Sequence, residues 1–398
     1  MEQTYDVAVI GAGVFGAWTA YHLQRAGSSV ILLDAYGAAN ARASSGGESR
    51  IIRAGYGLQQ TYTELATRAL MLWEEFFERT DHTGLFHRTG VLWFASEKDD
   101  YERACLATLA QTGVRAERLS REEIQRRYPQ FDAEGITWGF LEPAGGVLMA
   151  RRSVQAVVEE AVREGARYHL AAARAPAGST EVSRERGRLD RVIIEKGIGN
   201  GPGNGESISA GVFVFACGPW LPEMFPDLLG SRIFPTRQEV FFFGVPAGDA
   251  RFAPPAMPAW ISLGDEFYGI PDLESRGFKV ACDRHGARFD PAAGGRVVTA
   301  EGLEAVRAYL ARRLPALAGA PVVETRVCQY ENTSNGDFLI DRHPDFSNVW
   351  LVGGGSGHGF KHGPAVGEYV AARIHEGGEV SPWSSLAAKE TFQQRSVF

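Results

Sequence analysis

One short segment constrains the fold more than any other. Gly11-Ala-Gly13-Val14-Phe-Gly16 fits G-x-G-x-x-G and lies between an apolar run and a helical stretch. Residues 5–10 read as a strand buried on both faces, because the run is apolar without alternation. Residues 14–26 carry good helix formers and stop at Gly27, a residue that commonly ends helices. Residues 30–33 are strand-like again and end at Asp34. In this pattern the first glycine permits a tight turn, the second lets the backbone approach a pyrophosphate, and the third allows helix and strand to pack closely. The helix N-terminus then offers N–H groups and partial positive charge to the phosphates. Asp34 stands about 20 residues on, where a carboxylate accepts from ribose hydroxyls. Gly11, Gly13, Val14, Gly16 and Asp34 are therefore predicted to hold a dinucleotide. The glycines do not distinguish FAD from NAD.

Further elements follow from periodicity. Helices are predicted at residues 61–78, 120–128, 152–164, 303–314 and 364–375, the second with a capping pair of Ser120 and Glu123. Strands are predicted at residues 90–95, near 168, and at 191–195, 208–216, 237–245, 278–282 and 348–352. The Gly/Asn/Pro-rich run 197–207 reads as a long exposed turn. A chain of 398 residues is long enough for more than one domain. Formal net charge is -7, and the densest basic runs are pairs, which argues against a nucleic-acid partner. No apolar run reaches the ~20 residues of a membrane span, and no secretory leader is visible. The four cysteines, Cys105, Cys217, Cys282 and Cys328, show neither metal-site spacing nor a dense disulfide framework, so no metal is expected and the cytoplasm is the default location.

Several blocks beyond the glycine motif resemble the monomeric sarcosine oxidase and N-methyltryptophan oxidase family, FAD-dependent amine oxidases of the D-amino acid oxidase superfamily. They are Ser44-Ser-Gly-Gly-Glu-Ser49-Arg50-Ile-Ile-Arg53-Ala-Gly-Tyr56-Gly, then Phe267-Tyr268-Gly269 with Gly277-Phe278-Lys279, then Val327-Cys328-Gln-Tyr330 with Asp337-Phe-Leu-Ile-Asp341-Arg-His-Pro344, and Gly353-Gly-Gly355-Ser-Gly357-His358-Gly359-Phe360-Lys361. The blocks occur in family order along essentially the whole chain. The resemblance implies an α/β, two-domain (α+β) fold of the p-hydroxybenzoate-hydroxylase-like kind. A Rossmann-like FAD-binding domain (residues 1–88, 145–220 and 322–390) would carry an inserted, mostly antiparallel substrate domain (89–144 and 221–321), with a tail at 391–398.

The resemblance also implies roles. Arg53 and Lys361 would bind the substrate carboxylate, the arginine as a directional fork and the lysine as a point charge. The alternatives are a structural ion pair for Arg53 and a solvated loop residue for Lys361. Lys279 would stabilise charge developing on dioxygen. A lysine among apolar neighbours is costly to bury without a role, and an outward-facing strand position is the alternative. Cys328 would carry FAD covalently, whereas Cys105, Cys217 and Cys282 read as inert core thiols. Tyr268 would line the substrate cavity. Ser44, Ser49 and Arg50 would lie against the flavin, Arg50 favouring its anionic reduced form. Gly355, Gly357 and Gly359 would admit the ring closely, next to Lys361. Two positions depart from the family. Asp283 replaces a histidine four residues after the lysine, with His285 two further on, and Gly46 replaces another in the flavin loop. An acid at 283 would pair with a cationic or hydroxylated substrate group, and a small residue at 46 would enlarge the cavity; neutral drift at the rim is the alternative.

The implied activity is oxidation of a secondary, N-methyl or N-substituted amino acid. It proceeds by hydride transfer to flavin N5, imine hydrolysis, and reduction of dioxygen to hydrogen peroxide, in a monomer without membrane partner. A flavin dehydrogenase with another electron acceptor, and an oxidase of a cyclic or sugar-modified amino acid, remain alternatives.

Overall fold

The computed structural model describes residues 4–176, 182–183, 187–196 and 206–391. Most of the turn expected at 197–207, and all but the first residue of the tail at 391–398, lie outside the described residues.

The apolar run before the glycines forms the strand Thr4–Ile10, which runs parallel to Val30–Asp34 on one side and to Ser207–Phe215 on the other. Arg167–Ala173 and Val349–Gly353 extend this parallel core outward. Leu339–Arg342 adds an antiparallel edge, and Arg191–Lys196 runs antiparallel to both Arg167–Ala173 and Ser207–Phe215, completing a seven-stranded sheet. The helix Val14–Arg25 covers one face together with Ala150–Arg163 and Gly363–Glu376. Close approach here needs bare backbone: a Cβ on Gly367 would stand 2.6 Å from the carbonyl carbon of Trp18.

The second sheet has eight strands, from Val322–Thr333 at one edge through Ile233–Phe243, Phe278–Cys282, Phe267–Ile270, Ala259–Ser262, Val91–Ala95 and Trp138–Glu142 to Glu117–Ser120. Every pairing is antiparallel except that of Ala259–Ser262 with Val91–Ala95. The strand Val322–Thr333 pairs along the length of Ile233–Phe243, so residues 322–333 belong to this sheet and not to the dinucleotide sheet. Its period of two sorts the side chains. Phe241, Phe243, Phe278 and Val280 pack into a core with Trp260 and Tyr309 of the helix Ala300–Arg313. The other face carries Val240, Phe242, Ala281 and Tyr268. Register places Lys279 opposite Phe242, Tyr268 opposite Ala281, and Cys328 opposite Gln238, so Lys279, Tyr268, Cys328 and Tyr330 share that second face. A small sheet of Arg50–Ile52, Gly146–Leu148 and Phe86–His87 supports the loop that approaches it.

The expected helices and strands are all present, with ends shifted by a few residues. The Ser120–Glu123 capping box forms at the start of Arg121–Arg127. Periodicity did not single out the helix Asp100–Gln111 or the strands Trp138–Glu142 and Ala259–Ser262. No helix among the described residues is long and apolar enough to cross a membrane.

A Cβ on Gly16 would lie 1.8 Å from the carbonyl oxygen of Gly11. Gly16→Ala must push the first helix off its strand, and overpacking of this kind costs about 3 kcal/mol. The expected outcome is a clear drop in Tm by calorimetry; an unchanged Tm would show that the helix moves freely.

Candidate active site

The carboxyl ends of the parallel strands open on a cavity of about 410 Å³. Its walls include Gly11, Gly13, Val14, Asp34, Ser44, Arg50, Cys328, Gly355, Gly357 and Gly359. Three further residues expected at the cofactor lie just outside the wall. Gly16 packs beneath the first turn, Ser49 is buried behind the loop, and Lys361 lies past Phe360.

The first turn is built for a phosphate. Gly11 has φ +104°, and a Cβ there would meet the Ala216 carbonyl oxygen at 2.4 Å. Gly13 caps the first helix without a side-chain hydrogen bond, and no acid sits in the first turn. The Asp34 carboxylate accepts Ala12 N–H at 2.8 Å on Oδ2 and the Tyr36 and Gly37 amides at 2.9 and 2.8 Å on Oδ1. Oδ1 is thereby saturated and Oδ2 keeps one acceptor position for a ribose hydroxyl. A glycine-lined slot, a helix N-terminus whose Val14 N–H is held by Ser45 Oγ at 3.0 Å, and a pre-oriented acid together fit a dinucleotide.

Arg50 crosses the slot. Its Nη2 donates to Ser44 O at 2.7 Å and to Cys328 Sγ at 3.3 Å, and its Nη1 donates to Ser49 O at 2.9 Å. Lys279 Nζ donates to the same Ser49 carbonyl at 2.8 Å and stands 5.8 Å from the centre of the Tyr268 ring. Lys279 is buried, not outward-facing, and burial together with the Arg50 charge holds its ammonium well below the usual lysine range. The loop glycines are tight as well: a Cβ on Gly357 would strike the Tyr330 ring at 2.7 Å.

Beyond Phe360 a second cluster gathers. The Arg53 guanidinium is stacked between Tyr56 and Trp93, 4.3 and 4.8 Å from their ring centres, and donates to Gly55 O. Glu142 anchors that loop, accepting Ala54 N–H at 2.6 Å, Gly55 N–H at 3.2 Å and Trp93 Nε1–H at 2.7 Å. Lys361 is buried, not solvated, and its Nζ donates to Tyr56 Oη at 2.8 Å and His358 O at 2.9 Å. Burial, then the Arg53 charge, depress its ammonium well below the usual range. Tyr56 thus touches both cations, with its ring under one and its hydroxyl on the other. Asp283 is half-buried and accepts Tyr330 Oη–H at 2.7 Å; burial raises its carboxyl, while Tyr330, Arg53 and Lys361 oppose the rise.

Other expectations resolve differently. Gly46 does not enlarge the cavity, because a Cβ there would lie 1.8 Å from Asn40 O; the backbone occupies that side. Cys105 is buried and accepts Gly57 N–H at 3.0 Å, and burial pushes its thiol up to about 12. Cys217 and Cys282 are not core residues as expected: both are half-buried and Cys217 lines the cavity, though burial still raises both thiols. Tyr56, His358, Trp93, Glu142 and His362 had no role assigned from sequence. The first two lay inside the quoted blocks, and a buried polar residue beside a predicted cation was the available signal. Glu331 also escaped notice. It borders the cavity, its Oε1 accepts Gly355 N–H at 3.2 Å, and its buried Oε2 has no partner among the described residues.

A Rossmann-like sheet joined to an antiparallel sheet over such a slot defines a dinucleotide-dependent oxidoreductase. The chain belongs to the DAO family of FAD-dependent oxidoreductases, whose description, "FAD dependent oxidoreductase", matches residues 6–373. FAD is therefore the dinucleotide of this family, the choice the glycines left open. Among curated proteins, a monomeric sarcosine oxidase from Streptomyces avermitilis is 30% identical over 377 residues, covering 93% of this chain and 94% of that one. An N-methyl-L-tryptophan oxidase from Escherichia coli is 27% identical, covering 92% and 94%. Among solved structures, the L-proline dehydrogenase from P. horikoshii superposes with TM-score 0.82 at 20% identity, covering 97% and 98%, and so shares the fold.

Burial pushes the Glu331 carboxyl from 4.5 up to about 7 in the folded chain, against the Gly355 and Gly354 amides. A raised carboxyl opposes folding once the unfolded chain ionises. The flavin-free protein should therefore lose stability as pH rises from 4.5 to about 7, and no further from this group above that. The shift corresponds to about 3 kcal/mol. Glu331→Gln should remove this loss, and denaturant titrations at pH 5 and pH 8 measure it. Equal pH dependence in both proteins would rule out a neutral Glu331.

Proposed function

We propose that this chain is a cytoplasmic, monomeric FAD-dependent oxidase of an N-substituted amino acid. The observation that carries the reading is the pair of buried cations, Arg53 and Lys361, joined through Tyr56 beside the flavin cavity. Lys361 holds only a phenol oxygen and a carbonyl by hydrogen bond among the described residues, and a substrate carboxylate would give it and Arg53 charge-assisted hydrogen bonds. The names of the relatives, sarcosine oxidase and N-methyltryptophan oxidase, agree in substrate chemistry.

Arg53 and Lys361 fix the carboxylate, so the Cα–H or N-methyl C–H is presented in one orientation, and orientation of this kind supplies much of a rate enhancement. Bound FAD supplies the two-electron acceptor, reoxidised by dioxygen with release of hydrogen peroxide. The oxidised amine leaves as an imine that water hydrolyses to an amine and a carbonyl compound. Lys279 and Arg50 place positive charge where negative charge develops. Asp283, held by Tyr330, offers an acceptor to an amine or hydroxyl of the substrate, which favours substrates more polar than sarcosine. Cys328 lies in the cavity wall within reach of Arg50, the position we assign to covalent attachment.

Acid precipitation followed by a visible spectrum tests the cofactor assignment. Yellow colour should stay with the pellet in the parent and pass to the supernatant in Cys328→Ser; release from both would limit FAD to noncovalent binding. A peroxide-coupled screen of N-methyl, cyclic and sugar-modified amino acids tests the activity. Lys361→Met should raise KM about 10- to 100-fold for any substrate found, the worth of one charge-assisted hydrogen bond. Lys279→Met should slow reoxidation by dioxygen while anaerobic flavin bleaching persists. Bleaching without peroxide in the parent itself would make the protein a dehydrogenase.

A further inference from the structure

Behind Lys361 lies a residue that neither lines the flavin cavity nor reaches the carboxylate position. His362 is fully buried, in a box of aromatic rings formed by Tyr56, Tyr62 and Phe338 at centroid distances of 5.5, 5.6 and 5.3 Å. Its Nε2 is 2.7 Å from Tyr56 Oη, and its Nδ1 makes no well-aligned hydrogen bond among the described residues.

The protons of this cluster can be placed by counting. His358 Nε2 is 3.0 Å from Gly336 O, and a carbonyl only accepts, so Nε2 carries the hydrogen. Burial and the Lys361 charge oppose a second proton on His358, which leaves its Nδ1 an acceptor. The group within reach of that nitrogen is Tyr56 Oη at 3.0 Å, so the phenol donates its single hydrogen there. The phenol oxygen must then accept from both remaining neighbours, His362 Nε2 at 2.7 Å and Lys361 Nζ at 2.8 Å. His362 therefore carries its hydrogen on Nε2, in agreement with an Nδ1 that makes no well-aligned hydrogen bond among the described residues. A second proton on Nδ1 is opposed by burial and by the charges of Lys361 and Arg53, which outweigh the pull of the Leu65 backbone. The order His362 to Tyr56 to His358 to Gly336 O has one direction. It presents the tyrosine oxygen to Lys361 as an acceptor. Lys361 spends one N–H there and one on His358 O, and its third has no hydrogen-bond partner among the described residues.

We propose that His362 is a positioning residue for carboxylate recognition, holding the Lys361 ammonium in place through the Tyr56 hydroxyl. The inference rests on the reading of Lys361 as a carboxylate ligand.

The test uses the flavin-loaded full chain and acetate as probe, with binding followed by perturbation of the flavin absorbance. His362→Leu removes the donor and should weaken acetate about tenfold, the range for one buried hydrogen bond. His362→Gln keeps an N–H at similar reach and should restore affinity to within about twofold. In a Lys361→Met background His362→Leu should change acetate affinity no further, as expected for coupled residues. Should His362→Leu fail to fold, Tyr56→Phe carries the test, with at least the same loss expected. Glutamine as weak as leucine, an undiminished leucine effect in the Lys361→Met background, or unchanged acetate affinity in Tyr56→Phe would overturn the inference. If Lys361→Met alone binds acetate like the parent, the carboxylate assignment falls and takes the positioning role with it.

Discussion

Backbone-to-backbone contact at the first turn sets the geometry on which the rest depends. Gly11 and Gly16 leave no room for a methyl group against Ala216 O and Gly11 O, so helix and strand meet closely and the helix N-terminus faces the slot. A wider turn would move every group that faces the slot from the other side. Those groups arrive on a different sheet by a different rule, the alternation that puts Lys279, Tyr268, Cys328 and Tyr330 on one face. The site forms where a helix end and a strand face meet, which explains why its residues come from nearly the full length of the chain.

Positive charge is concentrated in this region at a cost that local structure offsets. Arg50 and Lys279 share the carbonyl of Ser49, and Arg53 rests between two aromatic faces. Lys361 has a phenol and a carbonyl for partners and no acid in hydrogen-bond contact among the described residues. A buried ammonium held by hydrogen bonds to neutral groups gains from a ligand that brings negative charge. The flavin slot and the Arg53–Lys361 cluster are thus two concentrations of positive charge a few side chains apart. Tyr56 Oη backs the second, 2.7 to 3.0 Å from His362, Lys361 and His358.

Much of this was legible in the residues. The glycine motif, Asp34 and the blocks around Arg50, Lys279, Cys328 and Gly357 named the family and part of the cavity wall. Lys279 illustrates where the reading stopped. Its neighbours in sequence are apolar on both sides, and only the register against Phe242 decides that it faces Tyr268 and not solvent. Gly46 shows the opposite error. A small residue suggested space, but the Asn40 carbonyl fills it, and a chain contact of that kind leaves no trace in composition. His362 and Glu142 act through partners 306 and 88 positions away, a distance that no local pattern encodes.

The sequence by itself determined the dinucleotide turn, because strand, glycines, helix and acid lie within about 30 consecutive residues and their geometry is local. It also determined the chemical inventory of the site. Tertiary structure alone decided which cations become partners, which acid is left without one, and in which direction the hydrogen bonds behind Lys361 run. Those outcomes depend on burial and on contacts between distant segments, and neither exists until the two sheets have closed around the slot.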